Sequence, residues 1–343
     1  MFIRGIYYLI YQRKMKTIRV YTNLVFEGWT AADLETGIGG SEEKLIEWAR
    51  ELSPKYDITI YHNGVHGTFD GVKYEDYRKF KPWEHSDIFI SFKYRQVLLQ
   101  SINSEKIIHW TADIEDWSDL DIQNVDNVSV ISDWHKSQMN IPNIPVERTY
   151  IWADYERLDR NKVKKEKGTM LYSTSLDRGL EDLLKVWGTV KEKLSLKKLY
   201  ITYGWESYDL ANKGNANAQK WKEYMNTLME QEGIEMLGRL TNDDLCKLYW
   251  KSDYWCLPCN APRNELFCIN AVKAQYCECI PVVRRLGGMQ ETVNDFIDFD
   301  ALIGQQVGQD TFKGKKSILR NKKYVKKNFD MKKQIKKWEK ILG

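Results

Sequence analysis

Short apolar runs rich in β-branched and aromatic residues recur along the first half of the chain, at 17–22, 56–62, 87–92, 106–110 and 127–132. Helix-length or loop-length segments separate them, the pattern of a largely parallel α/β sheet. The clearest helix follows Gly40, where Leu45, Trp48, Ala49 and Leu52 recur at helical spacing behind Glu42 and Glu43 in the first turn. Periodicity is lost at 161–168, a polar stretch that reads as a linker. The alternation then restarts, with strands predicted at 169–173, 198–203, 234–237, 254–257 and 281–283 and helices at 180–194, 219–232, 242–251 and 265–277. Two tandem α/β domains are expected, 15–163 and 168–320, followed by a basic helix over 321–343. In that last segment Met331, Ile335, Trp338 and Leu342 share one face, which is expected to pack back on the body.

The chain of 343 residues is long enough for two cores of ordinary size, and no low-complexity tract interrupts it. The apolar run within residues 1–14 falls far short of the roughly 20 residues that span a bilayer, and no small-residue cleavage site follows. It reads as an upstream extension, with a peripheral membrane anchor as one use, and a cytoplasmic protein is expected. All six cysteines lie between Cys246 and Cys279, unlike a secreted disulfide framework. The pairs Cys256/Cys259 and Cys277/Cys279 have zinc-like spacing, but they sit on apolar runs where buried thiols are the simpler reading. Trp255-Cys256-Leu257-Pro258-Cys259 resembles a redox motif yet ends a strand instead of opening a helix, so that reading is rejected.

Net charge is only +4, but from Gly304 onward 13 Lys and Arg face 3 Asp and Glu, leaving 39 against 45 in the rest. Solvated helix faces are the plain explanation for such a run, and an acidic partner the functional one.

Three loop-to-helix junctions carry candidate chemistry. Gly37-Ile38-Gly39-Gly40-Ser41 follows the first strand, where glycines admit a ligand to the backbone and a helix N-terminus offers N–H groups to phosphate. A dinucleotide fingerprint is not met there, because Glu42 replaces the third glycine, and a plain turn is the alternative. Ser173 to Leu180 repeats the arrangement in the second half with Arg178 available for a diphosphate; capping by Ser175 or Asp177 is the bland reading. Glu265-Leu266-Phe267-Cys268-Ile269 places an acid at an expected helix start, either as a cap or as an acceptor for sugar hydroxyls.

In order along the chain stand Arg178-Gly179-Leu180, Leu237-Gly238-Arg239-Leu240, Leu257-Pro258, Glu265-Leu266-Phe267-Cys268-Ile269, Ala274-Gln275, Ile280-Pro281-Val282-Val283, Gly287-Gly288 and Glu291. This succession resembles the retaining group 1 (family 4) glycosyltransferases, from about Lys16 to the C-terminus and most strongly over 170–293. The resemblance implies the GT-B architecture: two Rossmann-like domains facing across a cleft, the first for the acceptor and the second for the nucleotide sugar. It implies that Gly39 and Gly40 approach the diphosphate, that Arg178 beside Gly179 neutralises it, and that Arg239 lies near the nucleotide. Glu265 would bind the donor sugar, and the amides of Leu266, Phe267 and Cys268 would meet phosphate.

Such enzymes often carry a His or His-Asp after the fourth strand of the first domain, and here His109 and Asp113 are the candidates, with a structural role the alternative for a lone His. Two positions depart from the family pattern. Lys273 stands where a ribose-binding glutamate is usual, and Glu278 where glycine is common. An ammonium donates to a hydroxyl but does not accept from two.

The expected reaction is therefore metal-independent transfer of a sugar, with retention, from a nucleoside diphosphate sugar (UDP or GDP) to a hydroxyl, without a resident cofactor. The acceptor is expected to be a glycan or a lipid-linked sugar. Two rivals are a nucleotide-sugar-binding protein without turnover, motivated by Lys273 and Glu278, and a glycosyltransferase acting on modified bases in DNA, motivated by the basic tail. The DNA reading is weakened because a polyanion calls for a basic stripe on the acceptor domain, whereas the basic excess lies at the other end of the chain.

Overall fold

The computed structural model describes residues 15–22, 28–117, 124–141, 143–260, 264–305 and 310–343. The expected extension over residues 1–14 lies outside them. The first sheet is built from β1 (Lys16–Tyr21), β2 (Tyr56–His62), β3 (Gly67–Phe69), β4 (Val72–Asp76), β5 (Ser86–Phe92), β6 (Ser104–Trp110), β7 (Asn127–Val130) and β8 (Val146–Arg148). Its order is β3-β4-β2-β1-β5-β6-β7-β8, parallel apart from the β3–β4 hairpin. The second sheet comprises β9 (Glu166–Tyr172), β10 (Lys198–Thr202), β11 (Ile234–Gly238), β12 (Ser252–Leu257), β13 (Ile280–Val283) and β14 (Ile297–Asp298). All its pairings are parallel, in the order β11-β10-β9-β12-β13-β14.

Each sheet reverses direction of growth beside its first strand, between β1 and β5 and between β9 and β12. Loops leaving the carboxyl ends of strands at such switch points part in opposite directions and leave a crevice. Ile18, Val20, Ile58, Ile60, Ile88 and Ile90 are fully buried between the first sheet and its helices, and Met170, Leu171, Leu199, Ile201, Cys256 and Leu257 do the same in the second.

Several strands extend a residue or two beyond their apolar runs, and four, β3, β4, β8 and β14, lie outside the predicted ones. The β3–β4 hairpin turns at Asp70-Gly71, both with positive φ, a turn chemistry the sequence displays. The helix predicted over 180–194 is broken into Leu180–Lys185 and Trp187–Lys193.

The chain ends by returning to the first domain. Instead of one basic helix over 321–343 there are two, Lys315–Asn328 and Met331–Leu342, the second capped by the Asp330 carboxylate accepting from Lys333 N. Trp338 inserts between Trp48 and Trp110, ring centroids 5.5 and 4.7 Å away, joined by Ile335 and Leu342 in the first core. Polar contacts also tie the domains. Arg157 donates to Glu35 at 2.6 Å and to Asp243 at 2.8 Å, and Asn242 Nδ2 donates to Leu34 O at 2.8 Å.

Candidate active site

The loops at both switch points open into one cavity of about 670 Å³ between the domains. The first domain supplies Gly39, Gly40, Glu42, Lys93 and Asp113, and the second Arg178, Tyr203, Glu265 through Ile269, and Lys273.

Arg178 sits in the turn between β9 and the Leu180–Lys185 helix, where Tyr172 Oη donates to the carbonyls of both Ser175 (2.8 Å) and Arg178 (3.1 Å). The cap position of that helix is held by Gly179, with φ +86°, and not by Ser175 or Asp177. A Cβ on Gly179 would come 2.5 Å from Pro258 O, so no other residue fits this close approach. The loop thereby presents the Arg178 guanidinium to the cavity, with its side chain 35% exposed and Nη1 3.4 Å from Glu265 Oε1.

Glu265 does not open a helix. The helix starts at Ile269, with Cys268 in the cap position and no side-chain cap bond, while 264–268 run in an irregular loop. Two tertiary hydrogen bonds hold that loop away from helical geometry: Gly288 N donates to Glu265 O at 2.6 Å, and Ser132 Oγ of the first domain donates to Leu266 O at 2.6 Å. Gly288 is required there, since a Cβ would lie 2.0 Å from Leu266 O. The cap reading of Glu265 therefore fails. Its carboxylate is 17% exposed, faces Arg178, and is pushed above the ordinary carboxylate range by burial, which the Arg178 charge only partly offsets.

Gly39 caps the Gly40–Leu52 helix, and a Cβ on Gly40 would be in ordinary contact with Ile269 Cγ2, 3.5 Å away. Two helix N-termini thus meet across the cavity from opposite domains, a setting that favours an anion. Lys93, with φ +55° after β5, reaches Glu42 at 3.2 Å. Burial would lower its pKa, but the charges of Glu42 and Asp113 outweigh that and keep it raised and protonated. Lys93 and Tyr203 (φ +98°) had no signal in the sequence beyond following a strand.

Asp113 lines the cavity and its backbone is fixed by Thr111 and by His135 Nε2, which lies 2.9 Å from Asp113 O. His109 does not line it. Its ring is fully buried, Nε2 2.7 Å from Glu115 Oε2 and packed on Trp117, which is the structural role open to a lone strand-end histidine. Arg239 also lies off the cavity wall, near Gly37 at the domain boundary.

Lys273 has a partner of its own. Its ammonium is 3.1 Å from both carboxylate oxygens of Glu43, which is held below the usual range, because Lys273 and Lys44 together overcome a burial that would raise it. Lys44 continues to Glu47 at 2.6 Å, and Glu47 accepts from Trp152 Nε1 at 2.7 Å. Glu278, the other departure, has φ +66° and pairs with Lys322 at 2.8 Å. Glu291 accepts from the backbone of Asp133 and Trp134 and from Tyr150 Oη, another link between the domains. The six cysteines are buried free thiols.

Two Rossmann-like domains facing across a cavity at their switch points, with two helix N-termini turned into it, are the GT-B arrangement. Residues 155–338 match the family described as Glycosyl transferases group 1, so the chain belongs to that family, whose members move a sugar from a nucleotide sugar. Comparison with curated proteins gives no match. Among solved structures, sucrose-phosphate synthase from Thermosynechococcus elongatus superposes with a TM-score of 0.67 at 12% identity, covering 95% of this chain and 98% of that one. Anabaena Alr3699/HepE in complex with UDP-glucose gives 0.67 at 13% identity, covering 96% and 99%. A glycosyltransferase from Rickettsia africae ESF-5 gives 0.67 at 13%, covering 96% and 98%.

Proposed function

We propose that the chain is a retaining glycosyltransferase that transfers a sugar from UDP or GDP to a hydroxyl of a glycan or lipid-linked acceptor, without a metal, in the cytoplasm. The observation that carries the reading is the pairing of Arg178 with Glu265 inside a cavity also bearing Lys93 and two facing helix N-termini. In this reading the donor's diphosphate takes Arg178 and the free amides, and Glu265 turns its oxygens to the sugar hydroxyls. Breaking the bond between the anomeric carbon and the diphosphate oxygen puts negative charge on the leaving group, where a fixed cation stabilises the transition state more than the ground state. Retention requires the acceptor oxygen to bond on the face the diphosphate leaves. The acceptor proton then departs with that diphosphate. Fixed cations at the leaving oxygen supply the charge a metal would otherwise bring, which supports the metal-independent reading.

A thermal-shift screen with UDP and GDP sugars identifies the donor, because a ligand that binds only the folded chain raises its melting temperature. Labelled donor with candidate acceptors, in the presence and absence of chelator, then measures transfer, and NMR of the product reads the anomeric configuration. Donor binding with neither transfer nor donor hydrolysis would instead favour the non-catalytic reading that Lys273 motivates. An inverted product would remove retention.

A further inference from the structure

The Lys315–Asn328 helix buries Ser317, Asn321 and Val325 against the second domain, and Tyr324 Oη donates to Glu291 O. Its opposite side carries Leu319, which is 67% exposed. Residues three, four and seven apart share a helix face, and at those spacings from Leu319 stand Lys315, Lys316, Lys322, Lys323 and Lys326. Lys322 pairs with Glu278, but Lys315, Lys316, Lys323 and Lys326 are exposed and make no ion pair among the described residues. Lys333 and Lys336 add further exposed charge on the next helix, where Lys332 pairs with Glu156 at 3.5 Å. Leu319 thus stands exposed on a helix face flanked by four lysines that have no acidic partner among the described residues.

We propose that this face docks on an anionic membrane surface, the lysines meeting lipid phosphates while Leu319 enters the boundary between headgroups and acyl chains. An amphipathic helix lying in the interface uses this combination of charge and apolar residue. A nucleic acid would satisfy the lysines but offers Leu319 nothing along its phosphate backbone, and a second copy of the same face would be repelled. The body, with 39 basic against 45 acidic residues before Gly304, is repelled by the same surface, so the field orients the molecule with this helix toward it. No helix among the described residues is long and apolar enough to cross a membrane, so the contact is peripheral.

The test is co-sedimentation of the full chain with phosphatidylcholine vesicles, with and without phosphatidylglycerol. Binding is expected only with the anionic lipid and to fall with salt. Replacing Lys315, Lys316, Lys323 and Lys326 by Glu together is expected to weaken it about tenfold or more, and Leu319→Ser to weaken it while preserving the salt dependence. Both variants should keep the melting temperature and the nucleotide-sugar shift of the parent, showing that they fold. Binding that persists in the quadruple variant, equal binding to neutral vesicles, or a duplex DNA gel shift in place of vesicle binding would each overturn the proposal.

Discussion

Lys273 of the second domain and Glu43 of the first form a buried ion pair across the inter-domain cavity, with Nζ 3.1 Å from each carboxylate oxygen. The position where a ribose-binding acid is expected is thus occupied by a cation that the opposite domain neutralises. Removing one member of a buried pair strands the other, and a like charge is worse. Lys273→Glu is therefore expected to lower stability by about 3 kcal/mol or more. Glu43→Lys combined with Lys273→Glu should recover part of that loss. Urea denaturation of the two single variants and the double variant measures the coupling; a Lys273→Glu chain as stable as the parent would show that the pair does not tie the domains.

Arg178 is held by its own loop and by Glu265, and in the proposed reaction its charge meets the departing diphosphate. Arg178→Ala is expected to cost about 2 to 4 kcal/mol of transition-state stabilisation, roughly 30- to 1,000-fold in turnover. Arg178→Lys should restore only part of it, since an ammonium cannot reproduce the bidentate fork. Steady-state rates at saturating donor decide the matter, and turnover equal to the parent's would remove Arg178 from the reaction.

The two sheets and the order of the cavity loops were legible because apolar periodicity and strand-ending glycines are local signals. The features that differ from the sequence pattern depend on contacts remote in sequence. Glu265 was placed at a helix start by its local pattern, whereas Gly288 N and Ser132 Oγ, neither nearby in the chain, hold 265–268 out of the helix. His109 and Asp113 are four residues apart, yet only the second reaches the cavity, because β6 turns the His109 ring into the core beside Trp117. Lys93 offered no local pattern at all. The Asp70-Gly71 hairpin, by contrast, carries its turn signal locally.

His62 gives a pH dependence of definite sign. Its ring is fully buried at the end of β2, between Trp29 and Tyr74, and burial, with a smaller contribution from His66, lowers its pKa from 6.5 to about 4. The unfolded chain therefore binds this proton first as pH falls. The associated stability is fully present above the unfolded value, is lost progressively between 6.5 and about 4, and amounts to about 3 kcal/mol. Buried His135, also shifted down by burial, adds in the same direction. Melting temperature against pH should fall across that window and flatten in His62→Gln once normalised to its neutral-pH stability. An equal slope in parent and variant would assign the acid loss elsewhere.

Glu265 separates chemistry from architecture most sharply. Its side chain caps no helix, and its backbone carbonyl, not its carboxylate, holds the loop through Gly288. Glu265→Gln keeps the shape and the backbone contact, and burial already disfavours the charge. Stability should therefore change by no more than about 1 kcal/mol, in either direction. Transfer should fall far more, because an amide oxygen is a weaker acceptor for sugar hydroxyls and its NH₂ faces both Arg178 and the donor with the wrong polarity. Arg178 would lose its anionic partner as well, so the apparent affinity for free nucleoside diphosphate, which needs that guanidinium but not the sugar contact, should hold or tighten. Melting temperature, diphosphate affinity and transfer rate on the same preparation distinguish the outcomes. A variant that transfers sugar at the parental rate would return Glu265 to a purely structural partner of Arg178.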